Sequence, residues 1–204
     1  SRGLGDVYKR QTFEKLMKAI SKSLKKNDPN HLNLGIRYGY IEQLDDELLR
    51  ISKESFDALS FNCYALSPDH EKMNHALEIS GLPMIIGEYH FGTVDRGLAQ
   101  SLWQVNSQKE RGDAFRYYTE NAFAHRGLIG TGWFRWIDQN INGRTDGENY
   151  NCGFIDVTDR PYPYMVDAAI ETAKSLYEIH SGTKTPFHQA PNAVGHSPIP
   201  DLWE

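Results

Sequence analysis

Four apolar stretches begin near positions 32, 58, 84 and 128, and a stretch with helical periodicity follows each one. Parallel strands cannot be joined by a tight hairpin, so alternation at this pitch points to βαβ units and a parallel sheet. The expected strands are Leu32 to Tyr38, Ala58 to Tyr64, Leu82 to Ile86 with Glu88 where the apolar run gives out, and Leu128 to Ile137. The expected helices are Phe13 to Leu24, Asp45 to Ser52, Glu110 to His125 and Met165 to His180. One further helix is expected to be capped by Ser67, with Pro68 in its first position, and to stop at Gly81. Four such units make half of an eight-fold barrel. A doubly wound open sheet is the structural alternative, but no glycine-rich phosphate loop follows the first strand.

The 204 residues suffice for one domain and its core, whereas an ordinary eight-stranded barrel needs about 250. A net charge of −5 and the absence of a basic cluster argue against nucleic acid or an anionic membrane as partner. No apolar stretch approaches the roughly 20 residues of a membrane span. Residues 1–11 lack pattern and resemble translated adapter read-through, so they read as a non-native leader. The α/β domain is expected over 12–182. A tail over 183–204 carries Pro186, Pro191, Pro198 and Pro200, and should pack, if anywhere, through Phe187 and Trp203. Cys63 and Cys152 stand far apart with no framework of further cysteines, and read as two free thiols.

The chemistry concentrates at the strand ends. The run Met84-Ile85-Ile86-Gly87-Glu88 leaves a carboxylate where a buried strand gives out. An unpaired carboxylate in a core is costly, so Glu88 belongs in an ion pair or at a strand mouth, where parallel α/β barrels keep their reactive groups. Arg37-Tyr38, Asn62 with Tyr64, and Glu88 with His90 place polar groups at three strand ends, and Trp133 to Gln139 does so at the fourth.

Together with Asp146 to Tyr150 and Gly153 to Pro163, these segments resemble the C-terminal half of a clan A retaining glycoside hydrolase. The likeness is greatest to the beta-agarase-type family, family fifty, with beta-galactosidases more distant. The resemblance implies an α/β fold made of strands five to eight of a (β/α)8 TIM barrel, acting on galactose-containing poly- or oligosaccharides. It implies no cofactor and no metal, and a periplasmic or extracellular location for a full-length polysaccharide-degrading protein. Glu88 matches the nucleophile at the end of the seventh strand. The acid/base glutamate, which follows an asparagine at the end of the fourth strand, has no counterpart here, so the chain reads as a gene fragment lacking half its barrel.

Retaining enzymes need two carboxyl groups about 5–5.5 Å apart, one to attack and one to protonate the leaving oxygen. Tyr64 is the expected hydrogen-bond donor to Glu88, and Asn62 shares its face. Arg37 and His90 are expected to contact substrate, although a salt bridge to a helix carboxylate accounts for Arg37 nearly as well and a capping bond accounts for His90 equally well. Strand alternation favours Trp136 as the aromatic platform under the sugar and turns Trp133 into the helix layer; the resemblance does not choose between them. Asp138, Gln139, Glu148 and Asn149 complete the expected substrate-binding set. Asp138, Asn140, Asn142, Gly143 and Asn149 follow part of a calcium-loop spacing, but Glu148 falls one place short of the bidentate position. A substrate-binding or purely hydrogen-bonded loop is the better reading. The rival to an enzyme is a non-catalytic carbohydrate-binding module derived from such a barrel. A metal-dependent hydrolase using Glu88 and His90 finds little support in the scatter of the other histidines.

Overall fold

Residues 4–195 are described in the computed structural model. The chain opens with α1 (Leu4–Asn27), then makes β1 (Arg37–Tyr38), α2 (Asp46–Ser55), β2 (Leu59–Asn62), α3 (His70–Ser80) and β3 (Met84–Tyr89). It continues through β4 (Trp103–Gln104), α4 (Gln108–Phe123), β5 (Leu128–Trp133), α5 (Pro163–His180) and β6 (Val194–Gly195). The main sheet is parallel, in the order β1-β2-β3-β5. Each crossover leads to the next neighbour in sequence. The order contains no reversal, so the sheet is not doubly wound.

Alternating burial explains why the helices lie where they do. Leu59, Phe61, Met84, Ile86 and Leu128 are fully buried and share one cluster with Leu49 of α2, Met73 of α3, Tyr118 of α4 and Met165 of α5. The residues between them, Ser60, Asn62, Ile85 and Gly87, are only partly covered, and Ile129 is 53% exposed. One face of the sheet therefore carries the helix layer and the other stays open. Within that layer α1 packs on α2, α2 on α3, and α4 on α5. The His70 ring meets the Asn121 carbonyl at 2.9 Å and His125 meets Asn74 at 3.1 Å, which joins α3 to α4.

Local chemistry shifts several expected boundaries. Leu32 to Ile36 do not pair, because Gly35 takes a left-handed conformation (φ 72°) pressed against Phe56, where a Cβ would come within 2.6 Å of the ring. Asn33 instead exchanges bonds with Asp57 and Ser55. The cap of α3 is Asp69 rather than Ser67: its carboxylate accepts from the Glu71 and Lys72 amides, at 3.0 and 3.2 Å. Gly81 ends that helix in the left-handed conformation, as expected. β5 stops at Trp133, four residues early, and Ile137 bridges to Ile155 instead.

α1 starts well before Phe13, at Leu4. Within the stretch expected to lack regular structure, Arg10 reaches the α2 cap Asp45 at 2.5 and 2.8 Å. Phe187 does pack: its amide donates to the buried Glu120 carboxylate at 2.7 Å, and the Arg116 guanidinium lies 4.6 Å from its ring centroid. Beyond it, β6 pairs antiparallel with β4. Trp203 lies outside the described residues. Cys63 and Cys152 are both buried and free; burial is the main cause that pushes their thiols up, to about 11 and about 12.

Candidate functional site

The site forms where β2 and β3 fall out of step. Phe61 pairs with Ile86, but the next β2 residue, Asn62, pairs with Glu88. Gly87 is thus an extra residue, a bulge that brings Glu88 level with Asn62 on the open side. A bulge re-aims a side chain, and glycine is required here for a second reason. A Cβ at Gly87 would lie 2.2 Å from Cδ of Arg37, whose side chain crosses that position.

Three donors converge on the Glu88 carboxylate, which is 19% exposed. The Tyr64 hydroxyl donates to Oε2 at 2.8 Å and the Asn62 amide to the same oxygen at 3.1 Å. The Arg37 guanidinium pairs with Oε1 at 2.8 Å and approaches the Gly87 carbonyl at 3.4 Å. Such contacts fix the orientation of the carboxylate. Burial, then the bond to Glu88, push the Tyr64 phenol far above the ordinary tyrosine range, so it remains a proton donor. Arg37, Asn62, Tyr64 and Glu88, read as separate strand-end residues, are brought together.

His90 is placed differently from the expected substrate contact. It is 1% exposed, its Nδ1 lies 3.0 Å from the Phe134 carbonyl, and its Nε2 accepts from the Leu102 amide at 3.1 Å. Those partners require the neutral Nδ1–H tautomer. Desolvation lowers its pKa to about 3. Neither nitrogen is left for a sugar; the capping account is the one realised. Its ring also packs edge-on against Tyr64, centroids 4.9 Å apart.

The two tryptophans lie in different surroundings, although β5 ends at Trp133 and strand alternation does not extend to Trp136. Trp133 lies among Tyr89, Phe115 and Phe154, at 5.2, 5.6 and 5.8 Å, and its indole N–H donates to the Cys152 carbonyl at 2.7 Å. It is part of the helix-side packing, not a sugar surface. Trp136 is 68% exposed and rests one face on Phe154.

Asp138 and Gln139 correct the expected substrate-binding set, because both are buried. Asp138 accepts from the Gly153 amide at 2.6 Å, the Asn151 amide at 2.9 Å and the Tyr162 hydroxyl at 2.6 Å. With both oxygens so engaged it offers nothing to an ion in the 138–149 loop. Among the described residues, no group of three His, Cys, Asp or Glu side chains is arranged to hold a metal. Gln139 accepts from the Tyr150 amide at 2.6 Å and donates to Glu148 at 2.7 Å. Glu148 and Asn149 are partly exposed on that loop.

Sequence reading missed Tyr40, whose phenol is pushed up mainly by burial and next by the charge of Glu88. It also missed the buried Arg111, which donates to the Phe91 carbonyl at 3.1 Å and the Gly153 carbonyl at 2.7 Å, joining the segments that follow β3 and β5. The Gly87 bulge had a usable signal, a lone glycine inside a strand pattern. Arg111 had none, since one arginine on a polar helix looks like any other.

Fold and site together define an α/β chain with a sequentially ordered parallel sheet and a hydrogen-bonded carboxylate at the C-terminal ends of its strands. No family model matches it. Beta-agarase A of Vibrio sp. (strain JT0107) is 36% identical over 165 residues, covering 78% of this chain and 16% of that protein. Among solved structures, an agarase, AgWH50C, superposes with a TM-score of 0.77 at 36% identity, over 82% of this chain and 26% of its own. An exo-beta-agarase does so at 0.77 and 34%, over 84% and 23%. The chain is beta-agarase-like across most of its length, and it spans less than a fifth of the curated relative.

Proposed function

We propose that the chain is the C-terminal half, strands five to eight, of a (β/α)8 barrel from a retaining glycoside hydrolase. Its substrates are galactose-containing poly- or oligosaccharides of the agarase type. Three supports converge: the sequential parallel order, the open sheet face that further strands would cover, and the likeness to part of larger agarases. The observation that carries the reading is Glu88, raised on a bulge at a strand mouth and held by Tyr64, Asn62 and Arg37.

In this reading Glu88 attacks the anomeric carbon and forms a glycosyl-enzyme ester. An acid/base carboxylate from the upstream half protonates the leaving oxygen, then takes a proton from the water that hydrolyses the ester. Tyr64 and Asn62 hold Oε2 and fix the carboxylate's angle, leaving one lone-pair direction of Oε1 free beside Arg37. Arg37 pairs with Oε1. Trp136 supplies the face on which a pyranose ring stacks. Residues 12–182 form the catalytic half-domain, and 183–195 brace it through Phe187 and β6.

The test is to recover the upstream reading frame and express the joined chain. Four more strand–helix units with an Asn-Glu pair at the fourth strand end are expected, with hydrolysis of agar oligosaccharides giving product of retained anomeric configuration. Inversion, or an upstream sequence without these units, overturns the proposal.

A further inference from the structure

The 138–151 loop holds a carboxylate that the displacement chemistry does not use. Glu148 is 25% exposed, and its Oε2 is fixed from two sides. The amide of the fully buried Gln139 donates to it at 2.7 Å, and the Arg144 guanidinium stands 3.4 Å away. Arg144 is itself held by Asp146 and lies over the Phe134 ring, 5.8 Å from its centroid. Glu148 Oε1 has no partner among the described residues. A carboxylate with one oxygen clamped and the other free is a preoriented acceptor.

A continuous line of contacts ties this acceptor to the nucleophile. Tyr64 bonds Glu88 and packs on His90. His90 meets the Tyr150 ring at 5.8 Å and the Phe134 ring at 5.9 Å. The Tyr150 amide donates to Gln139, which clamps Glu148. The loop thus stands over the same strand mouths as Glu88. The cations beside these carboxylates are already neutralised, Arg37 by Glu88 and Arg144 by Asp146 and Glu148.

From this geometry we infer that Glu148 is a specificity-determining residue: its free oxygen accepts sugar hydroxyls and turns away galactans bearing sulfate or carboxylate groups. The inference rests on the carbohydrate reading above and deepens it. Hydroxyls are donors and suit an ionised acceptor, whereas an anionic substituent brings a second negative charge and no proton. A hydrogen bond to a charged acceptor sets the expected discrimination at about tenfold or more in affinity.

The test is titration of the completed barrel, its turnover stopped by Glu88→Gln, with a neutral agar-derived tetrasaccharide and with its sulfated form, each with Glu148 unaltered and with Glu148→Gln. Tighter binding of the neutral sugar is expected, with the preference shrinking about tenfold in Glu148→Gln. Equal affinity for the two sugars with Glu148 unaltered overturns its role without recourse to Glu148→Gln, and so does a preference that survives Glu148→Gln in a folded protein. Binding of neither sugar overturns the carbohydrate reading itself.

Discussion

Arg111→Met removes the most heavily used buried charge among the described residues and should destabilise the fold by about 4 kcal/mol, the mid-range for breaking a buried ionic network. Arg111 is 0% exposed. Its guanidinium serves Phe91 O at 3.1 Å, Gly153 O at 2.7 Å, Gln108 Oε1 at 2.7 Å and Asn151 Oδ1 at 3.3 Å. It also stacks 5.0 Å from the Tyr162 ring centroid and feels the charge of the buried Asp138. Methionine keeps the stem and part of the volume but strands three acceptors, each worth about 1–3 kcal/mol if left dry, while Asn151 Oδ1 keeps its bonds from Gln108 and Thr93. Water entry and relaxation recover part of that sum. Urea unfolding followed by circular dichroism should move its midpoint down by about 2 M, taking a slope near 2 kcal/mol/M. Arg116→Met is the control. That side chain is 28% exposed, and its partner Glu120 keeps bonds from Thr172 and Phe187, so the loss should be less than half as large. A cost under about 1 kcal/mol for Arg111→Met would refute the view that this network clamps the strand mouths.

His90 gives the fold a pH dependence of definite sign. Its folded pKa of about 3 lies below the ordinary 6.5, so the unfolded chain binds the proton first. Stability is present above pH 6.5 and drains as pH falls, by up to about 2 kcal/mol between pH 6.5 and 5. The fall in urea midpoint from pH 7 to 5 should about halve in His90→Asn, the rest coming from His125, whose pKa is lowered to about 4 and which contributes about as much over that range; an unchanged slope contradicts the buried neutral ring. Gly87→Ala should displace Arg37 from Glu88, cost about 1 kcal/mol or less in stability because that side chain is half exposed, and lower kcat/KM of the completed barrel about tenfold or more. Full activity in that variant would remove Arg37 from the site. Cys63 and Cys152, both buried with raised thiols, should resist a thiol reagent at pH 8 until urea is added; rapid labelling of the native chain would contradict their burial.

The strands that could be read from sequence are those whose residues alternate between a dry helix-facing side and a wetter one. β2 and β3 have that pattern, and Glu88 is conspicuous because a charge ends an apolar run. β1 was overextended because apolar spacing at Leu32, Leu34 and Ile36 says nothing of the left-handed Gly35 that turns the backbone away from the sheet. Trp133 and Trp136 do differ in exposure, but β5 ends at Trp133, so the alternation that sequence offered does not account for it. Asp138 and Gln139 were not legible: a buried Asp with three donors and a surface Asp in a loop have the same letters around them. His90 fell between these cases, since its fate depends on the Phe134 carbonyl and Leu102 amide, groups that every sequence possesses. Burial of polar residues is decided by partners distant in the chain, and no local pattern encodes them.

The central claim concerns Glu88 as nucleophile, and azide rescue tests it most directly. In the completed barrel, Glu88→Gly removes the oxygen that forms the glycosyl-enzyme ester while leaving Trp136 and the rest of the sugar-binding surface in place. Activity per folded molecule should be abolished, and added azide should restore turnover by occupying the vacated space and attacking from the same face, giving a glycosyl azide of inverted configuration. Substantial activity of Glu88→Gly without azide, or no rescue in a variant that still folds and binds sugar, would contradict the account.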